Sequence, residues 1–251
     1  MRNKGWVSEH IFQRMIFESF VVGEENREAY EATLEIAQNP LVNVAPIFIS
    51  GNVGLGKTHL AAAMINYCKY NAPLAKIAYV DAYLIRISDN GIYYGMSTYK
   101  AFLQNLSELD MLIIESPRFL EAGSATCVTL AADAGALRLV FVDTESLDNY
   151  RETPGSWLCE LYTVRQVSLE PLGETTARKL LRQCSEAMDL RFSFDCETYL
   201  LRRTRHHPRV IEAAMAILQY GMGDASGTQS CPPAHKELDI HVMMNLLQVL
   251  P

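Results

Sequence analysis

The stretch FISGNVGLGKTHLAAAM, residues 48–64, decides the fold. Gly51, Gly54, Gly56, Lys57 and Thr58 fit the pattern G-x-x-x-x-G-K-[ST]. They follow a short apolar run (IFIS, 47–50) that reads as a buried strand and open a helical run from about Lys57 to Tyr70. Glycines at this spacing let the backbone turn so that its N–H groups converge on phosphate oxygens, and the helix start adds partial positive charge. Lys57 is placed for the β- and γ-phosphates and the Thr58 hydroxyl for Mg²⁺. The expected nucleotide contacts along the loop are Gly51, Asn52, Val53, Gly54, Leu55, Gly56, Lys57, Thr58 and His59. The alternative is a strand-to-helix turn with a chance lysine, and the flanking strand and helix argue against it.

Outward from the loop, three further apolar runs read as strands: KIAYV (76–80), MLII (111–114) and RLVFV (138–142), with QVSL (166–169) as a fourth. Upstream, REAYEATLEIAQ (27–38) sets Tyr30, Thr33, Leu34 and Ala37 on one side of a helix, which Asn39-Pro40 ends. Strands alternating with helices predict an α/β fold, a parallel sheet with helices on both faces. After Pro171 the character is helical throughout. TTARKLLRQCSEAMDL places Leu180, Leu181, Cys184, Ala187 and Met188 on one stripe, and PRVIEAAMAILQY repeats the spacing through Val210, Ala214, Ile217 and Leu218. Residues 221–236 predict a flexible stretch, and a last helix is expected around 239–250. The expected division is an α/β nucleotide-binding domain over 1–168 and a small helical lid over 169–251.

A phosphate loop needs an acid at the tip of a neighbouring strand to hold the Mg²⁺ shell, and a group to orient attacking water. In LDMLIIESPRFL (109–120) Glu115 stands at the strand end, the candidate magnesium acid together with Thr58, the alternative being a plain polar strand terminus. Glu is one methylene longer than Asp, and the next residue, Ser116, cannot act as a carboxylate base. The grip is complete in sequence, and the hydrolytic side is not.

Composition bounds the rest. The 251 residues are 49% apolar and 20% charged with a net charge of −7, ordinary for a globular chain and poor for coating nucleic acid by counterion release. No apolar run approaches the roughly 18 residues of a membrane span, and no secretory signal is visible, so a cytoplasmic protein is expected. Six scattered cysteines without C-x-x-C read as free thiols. IRISDNGIYYGMSTYK (85–100) clusters Arg86, Tyr93, Tyr94, Tyr99 and Lys100, a combination that can stack and neutralise single-stranded DNA. The acidic balance favours an ordinary loop. The basic run LLRRTRHHPR (200–209) reads as a solvated helix end.

The opening FESFVVGEENREAYEATLEIAQNP (17–40), the loop itself, Asp110–Leu120 and L-x-P-L before a helix at 169–181 together resemble the AAA+ module of the DnaA and Hda family. The resemblance is dense over 17–64 and thin over 121–160. It implies a five-stranded parallel sheet, a three-helix lid, and ATP or ADP with Mg²⁺ between them. It implies Val22 and Gly23 beside the adenine with Asn26 behind, Asp143 or Thr144 sensing the γ-phosphate, and Arg209 as the lid arginine reaching the nucleotide. Departures accompany it. The second acid is Ser116, and the arginine-finger position is Glu160, with Arg165 the nearest substitute five residues on. No C-terminal DNA-binding helix-turn-helix and no N-terminal clamp-binding peptide are expected.

The resulting expectation is an ATP/ADP-binding regulator of replication type, acting through nucleotide-dependent contacts with another AAA+ protein or a second copy, with weak or absent hydrolysis. The alternative is an active DNA-handling ATPase of the DnaC/IstB helicase-loader or transposition-helper kind, with Glu115, Asp143 and Arg165 as its catalytic residues. Single-stranded DNA is not the favoured partner, and no membrane is expected.

Overall fold

The computed structural model describes residues 13–40, 45–84, 104–134, 137–151, 154–160, 163–224, 236–237, 243–244 and 247. The chain forms two compact units, one of residues 1–20 and 26–170, the other of 21–25 and 171–251.

In the first unit the elements run α1 (Arg27–Gln38), β1 (Ile47–Gly51), α2 (Lys57–Asn71), β2 (Ile77–Asp81), β3 (Met111–Glu115), α3 (Ala122–Asp133), β4 (Arg138–Val142) and β5 (Arg165–Leu169). The five strands make one sheet in the order β2-β3-β4-β1-β5, every pairing parallel. The fourth run is a full edge strand, beginning one residue before QVSL at Arg165.

Successive strand side chains point to opposite faces, and both faces are covered. Ile47, Ile49, Met111, Ile113, Val140, Val142, Val167 and Leu169 face one core, which α1 and α2 close with Ala29, Ala32, Ile36, Leu60, Ala61 and Met64. Phe48, Leu112, Ile114, Leu139 and Phe141 face the other, closed by Ala125, Val128 and Ala131 of α3. The near-continuous apolar strand sequences follow from this two-sided burial.

The buried side of α1 is Ala29, Ala32, Thr33, Ile36 and Ala37, rotated from the expected stripe, with Tyr30 and Leu34 only half-buried. Small residues let α1 approach α2 closely, and the Thr33 hydroxyl is satisfied by donating to Ala29 O at 2.8 Å. At the far end of α1, the buried Arg138 donates through Nη1 to Ile36 O at 3.1 Å and to Asn39 O, fixing the helix end to the first residue of β4.

The second unit holds α4 (Glu174–Ala187), α5 (Phe194–Thr204) and α6 (Pro208–Asp224). Its core is Ala177, Leu180, Leu181, Cys196, Leu200, Leu201, Ile211, Ala214, Met215 and Leu218, with Val21 packed against it. Two details differ from expectation. Ala187 is exposed and Ser185 takes the buried place, its hydroxyl donating to Arg182 O at 2.8 Å. On α6 the buried line passes through Ile211 and Met215, leaving Val210 and Ile217 half-buried, and the helix continues to Asp224, into the stretch expected to be flexible. The expected final helix, apart from residues 243–244 and 247, lies outside the described residues.

Two polar devices hold this unit. The Glu25 carboxylate caps α4, accepting from Gly173 N at 2.6 Å and Thr176 Oγ1 at 2.9 Å. Glu197 on α5, 8% exposed, accepts from Arg178 Nη1 at 2.8 Å and from Arg182 Nε and Nη2 at 3.0 and 3.1 Å, binding α5 to α4.

Among the described residues no helix is long and apolar enough to cross a membrane, and five cysteines are free thiols: Cys68, Cys127, Cys159, Cys184 and Cys196.

Candidate functional site: a phosphate loop at the carboxyl edge of the sheet

Because the strands are parallel, their carboxyl ends share one edge. The register sets Gly51 beside Leu169, Ile49 beside Val142, and Glu115 beside both Val142 and Asp81. This is the edge where open α/β sheets bind ligands.

The loop leaves β1 at Gly51 and turns into α2 at Gly56. Gly51, Gly54 and Gly56 have φ of 142°, 81° and 106°, outside the range comfortable for residues with a Cβ. At Gly56 a Cβ would stand 2.8 Å from Phe20 Cε2, and at Gly51 one would stand 2.5 Å from Leu169 O. Both positions are therefore closed to larger residues. Asn52 and Val53 are exposed at the turn, and Leu55 is buried beneath it.

Lys57, the first residue of α2, is 7% exposed. Its ammonium folds back over the loop, donating to Gly51 O at 2.6 Å and Asn52 O at 2.8 Å. Burial pushes its pKa down, while the charges of Glu115 and Asp143 oppose that shift. Both carboxylates thus lie within electrostatic reach of the lysine.

Thr58 Oγ1 donates to Glu115 Oε1 at 3.3 Å. The second carboxylate oxygen, Oε2, accepts a hydrogen bond from Tyr79 OH on β2. Burial first, then Glu115, raises the Tyr79 pKa, so the phenol keeps its proton to donate. The longer Glu side chain is held from both sides. Among the described residues no three His, Cys, Asp or Glu side chains gather as a metal cage. One acid with one hydroxyl suits Mg²⁺, which keeps waters and takes phosphate oxygens as its other ligands. Ser116 follows with φ 54°, a left-handed residue where the chain turns off the strand.

Asp143 stands just past β4, the strand between β3 and β1, its N–H donating to Ile49 O at 3.0 Å. It is 2% exposed and well satisfied. Oδ1 accepts from Thr144 N at 2.6 Å, Thr144 Oγ1 at 3.2 Å and Glu145 N at 3.2 Å, and Oδ2 accepts from Tyr150 OH. Arg118 Nη1 lies 3.5 Å from Oδ1.

His59, in the first turn of α2, makes its contacts with residues 16–20. Its Nε2 is 3.0 Å from Ile16 O and so carries a proton, with Ser19 Oγ at 3.3 Å, and its ring meets Phe20 edge-on at 5.2 Å. Burial lowers its pKa, against the pull of Ile16 O, keeping the ring neutral near pH 7.

Arg165 begins β5 opposite Ile47, at the other end of the sheet from the loop, with Nη1 3.0 Å from Glu35 Oε2. Val22 and Gly23 belong to the second unit, where a Cβ on Gly23 would strike Thr176 Oγ1. Arg209 is exposed in the first turn of α6. The tyrosine-rich run 85–100 lies outside the described residues. Three residues were not anticipated: Tyr79, Arg118 and Tyr150. Each reaches an expected residue from a different segment, a relation no local pattern carries.

Comparison with known proteins agrees with this geometry. The family described as Bacterial DnaA ATPase domain matches residues 11–132. The chromosomal replication initiator protein DnaA of Symbiobacterium thermophilum is 39% identical over 118 residues, 47% of this chain and 25% of that protein. The DnaA of Methylobacillus flagellatus is 28% identical over 210 residues, 79% of this chain and 43% of that protein. The chain thus spans less than half the length of these relatives. Domain III of the Thermotoga maritima replication initiation protein DnaA has TM-score 0.75 and 25% identity, covering 95% of this chain and 98% of that one. AMPPCP-bound DnaA from Aquifex aeolicus shares the fold with TM-score 0.68 and 21% identity, over 86% of this chain and 66% of that one.

Proposed function

We propose, since the chain belongs to the family of bacterial DnaA AAA+ domains, that it is a nucleotide-held regulatory protein. It binds ATP or ADP with Mg²⁺ at the phosphate loop and turns ATP over slowly or not at all. The bound nucleotide sets contacts with another AAA+ subunit, a second copy included.

The observation carrying this reading is the contrast along one sheet edge. Lys57, Thr58 and Glu115 are gathered and held by hydrogen bonds, whereas Ser116, next to Glu115, has no carboxylate to take a proton from water. The AMPPCP in the related Aquifex aeolicus protein supports an adenine nucleotide as the ligand. On this reading Asp143 and Thr144 lie toward the terminal phosphate. The family acts in replication, and regulation of that process is the role proposed.

Sedimentation velocity with saturating ATP, with ADP and without nucleotide tests the mechanism. Association that differs between nucleotides is expected. Identical sedimentation in all three, with nucleotide bound, contradicts it.

The second reading, an active DNA-handling ATPase, is favoured by the double anchoring of Glu115 by Thr58 and Tyr79, which suits a working magnesium acid. ATP turnover stimulated by single-stranded DNA would establish it in place of the first.

A further inference from the structure

Arg118 has no place in the expected site, yet it joins the two strand tips that flank the phosphate locus. It follows the magnesium acid by three residues, on the short helical turn Pro117–Phe119 that leaves β3. From there it reaches across to the end of β4, 3.5 Å from Asp143 Oδ1, with Nη2 donating to Thr144 Oγ1 at 3.3 Å and Glu145 Oε1 3.6 Å from Nη1. The Gly155 backbone is held close by, since a Cβ there would meet both the Tyr150 ring and Arg118 Cα.

The placement answers an electrostatic difficulty. Asp143 is a buried carboxylate on the strand between the loop strand and the Glu115 strand, near Lys57. A second negative charge so close to a triphosphate would repel its γ-phosphate unless neutralised. The other donors to Asp143 are backbone N–H groups, a threonine and a tyrosine, which carry no charge. Arg118 supplies the charge. Arg118 is therefore the charged group that meets Asp143 directly, 3.5 Å from its Oδ1, among the described residues.

We infer that Arg118, held against Asp143 and Thr144, is the cation that lets this site take ATP as well as ADP: it neutralises Asp143, whose charge would otherwise repel the terminal phosphate. The inference rests on the nucleotide-binding reading above and adds a residue to it. The neutralising charge comes from within the chain, on the exit of β3.

The test is calorimetric titration of the wild type, Arg118→Ala, the double variant Arg118→Ala with Asp143→Asn, and Lys57→Ala, each with Mg-ATP and with Mg-ADP. Loss of the charge that neutralises Asp143 weakens ATP roughly tenfold in Arg118→Ala and leaves ADP within about twofold. The double variant, which leaves no uncompensated carboxylate, guards against a folding defect. It should bind ADP like the wild type and recover part of the ATP affinity, because the repulsion is gone with the cation. Equal weakening of both nucleotides in both variants, or no change in either, overturns the inference while the wild type still binds through Lys57. A wild type that takes up neither nucleotide overturns the binding reading and this inference with it.

Discussion

At the scale of single residues, the site is a set of groups whose protonation and position are set by neighbours. Glu115 shows this most directly. A glutamate in a place suited to the shorter aspartate has one more rotatable bond, and Thr58 and Tyr79 remove that freedom by holding one oxygen each. Replacing Tyr79 with Phe deletes one hydrogen bond in a buried setting, a loss of about 1 kcal/mol. Nucleotide affinity of Tyr79→Phe measured with Mg²⁺ should fall roughly fivefold. Measured with excess chelator it should match the wild type, because on the proposed reading the hydroxyl acts through Glu115 and the magnesium it would hold. Equal loss under both conditions would make Tyr79 a packing residue. The glycines, Lys57 and Thr58 were legible in sequence because their chemistry is local, eight residues that need one another and a strand-to-helix turn. Tyr79, Arg118 and Tyr150 were not, because each acts on a carboxylate 36, 25 and 7 residues away in the chain, respectively. His59 was expected at the nucleotide from its place in the loop motif. Helical geometry turns it instead toward Ile16 and Phe20, where it ties residues 16–20 to α2.

At the scale of elements, capping and burial explain what periodicity alone missed. The amphipathic patterns identified α1, α4 and α6 and misplaced their buried lines by about one residue. Ala29 is buried because it is small, and Thr33 and Ser185 because their hydroxyls find a backbone carbonyl, and a hydrophobicity count overlooks all three. The cap of α4 was invisible for another reason. Glu25 lies 148 residues before Gly173 and reaches the helix only through the packing of 21–25 in the second unit. Burial would raise the Glu25 pKa, but hydrogen bonds from its own backbone, Thr176 and Gly173, with the Lys179 charge, hold it below the ordinary 4.5. A depressed native pKa stabilises the fold fully above the unfolded value, and that contribution is lost as pH falls through the native one. Glu25→Ala should therefore cost about 1 kcal/mol at pH 7, the size of a lost helix cap. The difference from wild type should shrink as pH drops below about 4.5, in urea unfolding followed by circular dichroism. A difference independent of pH over that range would assign the cost to lost packing.

At the scale of the whole molecule, the class of fold was legible and its wiring was not. Alternating strands and helices announce a covered parallel sheet, since only a sheet buried on both faces uses runs such as MLII and RLVFV. The order β2-β3-β4-β1-β5 depends on crossovers of the chain, and no strand names its neighbour. That order places β4 between the loop strand and the Glu115 strand, bringing Asp143, and through it Arg118, to the sheet edge that carries the loop. The departure of 21–25 from the sheet-bearing unit is a second feature of wiring, set by Val21 and Glu25 acting on residues from the far end of the chain.

The central claim is that the edge holds a nucleotide without spending it. The measurement that tests it most directly is retention of labelled ATP with Mg²⁺ on a filter, wild type beside Lys57→Ala, with the retained nucleotide identified after an hour. The account predicts intact ATP on the wild type and roughly a hundredfold less on the variant, which loses the buried ammonium at the phosphates. ADP accumulating with repeated turnover, or equal retention by both proteins, would contradict it.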